Sequence, residues 1–188
     1  MRAGPSDNAP LTQQPESAYF TQLCLAMEML SKHPRSVFMG QSVAYPGTAM
    51  FNTLRNVGHS KRVEWPVAED MQLGVAIGSS LNGDLPICMY PRINFLLLAM
   101  SQLVLHLDAI PRYSAYRPKV IIRTAIATDQ PLDPGPQHVG EYAYALESML
   151  KTVTVVRLNR AQDILPQYHA AMEREGSSLI VELLSQYG

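Results

Sequence analysis

Apolar residues along the chain fall into two kinds of run, and the two kinds alternate. One has helical spacing. Phe20, Leu23, Cys24, Met27 and Leu30 recur through 17–32, and His33-Pro34 ends the run. The same spacing predicts helices over Glu69–Leu81, 93–109, 139–150 and 161–175. The other kind is short and continuously apolar, and it predicts strands at 36–39, 61–64, Leu85–Tyr90, 119–125, 153–157 and 179–183. The stretch 41–61 has no clean period and reads as a loop with a short helix around 48–56. A second loop, 128–137, holds three prolines and a glycine. Continuous rather than alternating strands, separated by helices, imply an α/β fold: a doubly wound, mostly parallel sheet with helices on both faces. Residues 1–15 are rich in proline and polar side chains and read as a flexible leader, so 16–188 form a single domain. In such open sheets ligands sit beyond the carboxyl ends of the strands.

Composition narrows the classes. With 188 residues, 47% of them apolar, one domain can build a sizeable core and disorder throughout is excluded. Charged residues make up 16%, well short of the usual level of about 25%, so either the elements are unusually buried or part of the surface expects a partner. A net charge of −1 argues against a general nucleic-acid binder, which needs an excess of Lys and Arg. Cys24 and Cys88 form no CxxC pair and suit a reducing, cytoplasmic setting. The apolar run 93–110 approaches the length of a membrane span. It carries Asn94, Ser101, Gln102, His106 and Asp108, which are costly in lipid. A buried or interface helix is expected there, and no membrane.

No GxxxxGK[ST], GxGxxG, HExxH or GxSxG motif is present, and the five histidines are scattered. Glu69 opens an apolar helix rich in small residues, and by position alone it is a helix-start carboxylate favoured by the macrodipole. Tyr90-Pro91-Arg92-Ile93-Asn94-Phe95 follows a buried strand, where a ligand-facing loop is expected. Gln137-His138 ends the Pro-rich loop. Arg112, Arg117, Lys119 and Arg123 form a run of cations with no acid among them. A solvated face is the usual explanation, with an anionic ligand or acidic partner as the alternative.

Together these segments resemble the pyrimidine-binding domain of thiamine-diphosphate enzymes. The nearest pattern is the first domain of the beta subunit of 2-oxo acid dehydrogenase decarboxylating components; transketolase and deoxyxylulose-phosphate synthase carry related domains. The resemblance covers about 36–188. It includes Val37-Phe38-Met39-Gly40, Trp65-Pro66-Val67-Ala68-Glu69, Leu85-Pro86-Ile87-Cys88-Met89-Tyr90, Asn94-Phe95, Gln137-His138 and Leu179-Ile180-Val181-Glu182-Leu183. In the beta-subunit pattern an aromatic follows the catalytic glutamate by 26 positions and a histidine follows it by 69, where this chain has Phe95 and His138.

The resemblance implies roles for these residues. Glu69 would bond the pyrimidine ring nitrogen and so favour the tautomer whose exocyclic nitrogen takes the thiazolium proton. Phe95 would stack on the aminopyrimidine, with Tyr90 as a further wall of the same pocket. His138 would stand near substrate as a proton donor or a hydrogen bond to a developing oxyanion. Arg92 is a candidate substrate contact; Arg112 and Arg117 are weaker ones.

Departures from the pattern shape the expectation further. The chain lacks the Gly-Asp-Gly run that holds the divalent metal and diphosphate. Gln41-Ser42 stands where the beta-subunit pattern has acidic residues, and Tyr90-Pro91-Arg92 puts a cation on the substrate side. The resemblance therefore implies one subunit of a split enzyme that cleaves or forms carbon–carbon bonds next to a carbonyl, by 2-oxo acid decarboxylation or ketol transfer. A separate diphosphate-binding, alpha-type subunit would hold Mg2+, in an α2β2 assembly acting on a 2-oxo acid or ketose. Helices including Glu69–Leu81 would face each other at its centre. The alternative is a non-catalytic assembly or regulatory subunit that keeps the fold. The autonomous leader and the tidy finish at Gly188 suit a naturally short chain better than a fragment.

Overall fold

The computed structural model describes residues 16–127 and 134–188. The expected leader, 1–15, and the first part of the expected loop 128–137 lie outside the described residues.

The chain forms α1 (Ala18–Ser31), β1 (Ser36–Gly40), α2 (Ala49–Asn52), β2 (Arg62–Glu64), α3 (Glu69–Leu81), β3 (Leu85–Tyr90) and α4 (Ile93–Leu96). It continues through α5 (Ile110–Tyr113), β4 (Ile121–Ile126), α6 (Ala143–Met149), β5 (Thr154–Arg157), α7 (Ala161–Glu173) and β6 (Ser178–Leu183). The strands make one six-stranded sheet in the order β2-β1-β3-β4-β6-β5, and every pairing is parallel. Side-chain alternation divides the core into two layers. From β3, Leu85, Ile87 and Met89 pack under α1, α2 and α7 with Leu23, Met27, Met50 and Ile164. Cys88 and Tyr90, on its other face, pack under α3 and α6 with Leu73, Ile77 and Leu146. Helices cover both faces, as the continuous apolar strands require.

The order of the sheet fixes where a ligand can bind. From β1 the chain leaves toward β2 on one side, and from β3 it leaves toward β4 on the other. The loops after β1 and β3 therefore part at their carboxyl ends and open a crevice between them.

Two expectations need correction. The helix expected over 93–109 is broken. After α4 come a tighter turn at Leu97–Ala99 and a wide π-helix at Ser101–Leu107, and the axis bends by 59°. Ile93, Leu96, Ala99, Leu103 and Leu107 are all buried along this bent segment. Among the described residues no single helix is long and apolar enough to cross a membrane. The second correction concerns Arg123. It is fully buried, far from a solvated face, and its guanidinium bonds both oxygens of Glu182 at 2.6 and 3.0 Å. Near the other end of the sheet the buried carboxylate of Asp108 accepts the N–H groups of Lys151, Thr152 and Val153, pinning the turn that leads into β5.

Candidate functional site

Glu69 is the first residue of α3, just beyond the carboxyl end of the edge strand β2, and only 6% exposed. A buried carboxylate is costly without compensation. Part of it comes from the helix N-terminus, which no capping side chain serves here. The rest comes from Gln41, directly after β1, whose amide nitrogen donates to Glu69 Oε1 at 3.1 Å. From behind, the hydroxyl of Tyr90 donates to the Glu69 main-chain carbonyl at 2.9 Å. The carboxyl and the carbonyl of one residue are thus tied to the ends of β1 and β3.

Gln41 also lines a cavity of about 370 Å³ in the crevice between the β1 and β3 loops, together with Ser42, Thr48, Arg92, Phe95 and Leu184. Arg92 brings the cavity its cation and forms no salt bridge among the described residues. The ring of Phe95 meets that of His138 at a centroid distance of 5.7 Å. The side-chain amide of Asn94 donates to the Gln137 carbonyl at 2.6 Å and holds the two loops in register. At this junction, His138 Nδ1 and Asn94 Oδ1 are buried with no hydrogen-bond partner among the described residues.

Four of the residues singled out in the sequence come together here: Glu69 through Gln41, then Arg92, Phe95 and His138. Tyr90 does not join them as a wall. It is 1% exposed and its ring lies in the core under α3, because it shares the strand face of Cys88; burial drives its hydroxyl proton affinity far up. It supports Glu69 and offers no surface to a ligand. Arg112 and Arg117 lie in the segment leading into β4, at the opposite end of the sheet, and Arg117 bonds the carbonyls of Ser114 and Tyr116. Gln41 is the site residue that the sequence reading missed as a participant. Its position after the first strand was the signal.

One oxygen of the buried Glu69 carboxyl is bonded to Gln41, and Gln41 and the half-buried Phe95 line the same cavity. Among the described residues no group of three or more His, Cys, Asp or Glu side chains could hold a metal ion.

No protein-family model matches the sequence, and no curated protein does. Among solved structures the chain is similar to a split gene transketolase captured as an inactive beta4 tetramer, with a TM-score of 0.69 over 89% of this chain. The fold is transketolase-like. Identity to that structure is 19%, and the chain spans about half of its length, 51%. The likeness therefore carries the backbone arrangement, and residue roles rest on the geometry above.

Proposed function

We propose that this transketolase-like domain is the pyrimidine-binding subunit of a split thiamine-diphosphate enzyme acting on carbon–carbon bonds next to a carbonyl. The observation that carries the proposal is the linkage of the crevice. Glu69 is bonded to Gln41, Gln41 shares a cavity with Phe95 and Arg92, and Phe95 shares a ring contact with His138. That linkage joins the glutamate, aromatic and histidine whose sequence spacing matches the beta-subunit pattern.

Thiamine diphosphate, when bound, supplies a carbon nucleophile and an electron sink. In this reading Glu69 holds a proton against the pyrimidine ring nitrogen through its uncommitted oxygen. Phe95 orients that ring by packing on its face. His138 donates a hydrogen bond where negative charge develops on the substrate oxygen. Arg92 receives an anionic group of the substrate, a carboxylate or phosphate. The diphosphate and its Mg2+ fall to a partner of the alpha type, which also covers the orphaned atoms beside His138. The split gene transketolase to which the fold is similar supports an assembly from separate chains.

Calorimetric titration of thiamine diphosphate with magnesium tests this. It is run on the purified chain and then on the chain co-expressed with the product of its neighbouring reading frame. The expected result is no heat from the chain alone and micromolar binding by the complex. Absence of binding in both samples would overturn the reading and leave a non-catalytic assembly subunit.

A further inference from the structure

The geometry assigns to Gln41 the task of making the two carboxyl oxygens of Glu69 unequal. An amide nitrogen can only donate, so Oε1, 3.1 Å from Gln41 Nε2, is an obligate acceptor. Any proton that the carboxyl carries must then sit on Oε2. Gln41 is a positioning residue: it decides which oxygen exchanges a proton with whatever the crevice receives. The assignment rests on the reading of Glu69 as the group that meets the cofactor ring, but the pair itself exists without the cofactor.

The loop that carries Gln41 is clamped on both sides. Before it, Gly40 has φ +154°, and a Cβ there would lie 2.4 Å from the Met89 carbonyl oxygen, so only glycine lets β1 approach β3 this closely. The Gly40 carbonyl accepts the Trp65 N–H at 2.9 Å. After it, Ser42 takes the left-handed conformation, φ 54°. The N–H groups of Ser42, Val43 and Ala44 then converge on the carboxylate of Glu64 at 2.7, 2.9 and 2.8 Å. Three successive backbone donors on one carboxylate fix the loop far more tightly than a single bond would. With Gly40 and Ser42 held, the Gln41 backbone is fixed within side-chain reach of Glu69. Charge matters as well as direction. A neutral donor on a carboxylate favours its ionised form, whereas an acid at position 41 would set two carboxyl groups against one another and force them to share a proton.

The test is an NMR pH titration of the full chain, isotopically labelled, with no cofactor added. The Gln41 side-chain amide should pass through one inflection, matched by the Glu69 carboxyl carbon and abolished at Gln41 by Glu69→Gln. In Gln41→Leu the Glu69 carboxyl-carbon signal should change position, because its Gln41 donor is gone. A Gln41 amide signal indifferent to Glu69→Gln, or a Glu69 carboxyl-carbon signal unmoved by Gln41→Leu, overturns the assignment. If Gln41→Leu does not fold, the unaltered chain and Glu69→Gln still decide. A coupled titration with no thiamine-diphosphate binding removes the cofactor reading and leaves the pair standing. Binding with an uncoupled titration does the reverse.

Discussion

Arg123 and Glu182 face each other from adjacent strands, joined by two charge-assisted bonds, and neither side chain has any exposed surface. Around them the pair gathers Thr53, which accepts from Arg123 at 2.8 Å, and the hydroxyls of Tyr168 and Tyr187, both bonded to Glu182. Thr53 follows α2, which carries Met50 on the cavity wall. Tyr187 closes the short turn Leu184–Gln186, whose Leu184 lies on the same wall. The ion pair thus anchors two sides of the candidate site from beneath.

Breaking the pair by Arg123→Met should cost about 3–5 kcal/mol, because it leaves a buried carboxylate without its counter-charge. The double variant Arg123→Met with Glu182→Leu should lose less than the single one. Urea unfolding followed by circular dichroism checks both, and a single variant within about 1 kcal/mol of the unaltered chain would contradict the expectation.

Acid should weaken the fold through two carboxylates. At Asp108 burial works against ionisation, yet the backbone donors of Thr152, Val153 and Lys151 outweigh it and hold the carboxyl below its ordinary 3.8. At Glu64, an exposed residue, partial desolvation of the carboxyl is likewise outweighed by the N–H groups of Ala44, Val43, Ser42 and Tyr45, holding it below 4.5. A depressed folded-state value means that the stabilisation is complete above the unfolded value and lost as pH falls through the folded one. Stability measured from pH 6 downward should therefore begin to drop near pH 4.5 and keep dropping below 3.8. Asp108→Asn should cost about 1–3 kcal/mol at neutral pH and flatten the lower part of that profile.

Gly40→Ala should destabilise by about 1–3 kcal/mol, since φ there disfavours any side chain and the new methyl group meets a backbone oxygen. The same substitution at Gly78, where a Cβ meets nothing within 4 Å, should be neutral or slightly stabilising by helix propensity. Thermal melts of the pair separate local fit from a general intolerance of substitution.

If the complex turns over substrate, Glu69→Gln should lower its rate by about 10²–10⁴-fold, the range of a lost proton-transfer group. Co-elution with the partner should be unchanged. A subunit that only scaffolds would keep its rate.

Much of the architecture was legible because continuous apolar strands and helical spacing are local signals. Glu69–Leu81 and Leu85–Tyr90 stand as the spacing predicts. What escaped depends on lateral contacts. Arg123 looked like one of a run of surface cations because its partner is 59 residues further on, across a strand pairing that a linear reading cannot see. The run 93–109 has the composition of a helix, but composition does not fix which carbonyl each N–H selects, and the bend comes from that choice. The resemblance made Tyr90 a further wall of the pocket; its strand face, shared with Cys88, sends it inward. Gln41 had only its place after β1 to recommend it, since its meaning depends on Glu69, 28 residues away.

The two bonds that hold Glu69 come from chain segments that have no contact until β1 lies beside β3 and α3 has docked over them. Neither half of the arrangement exists in an isolated helix or hairpin. The Gln41–Glu69 hydrogen bond is consequently a gauge of completed assembly within the chain itself: a collapsed intermediate with all its helices formed would still lack it.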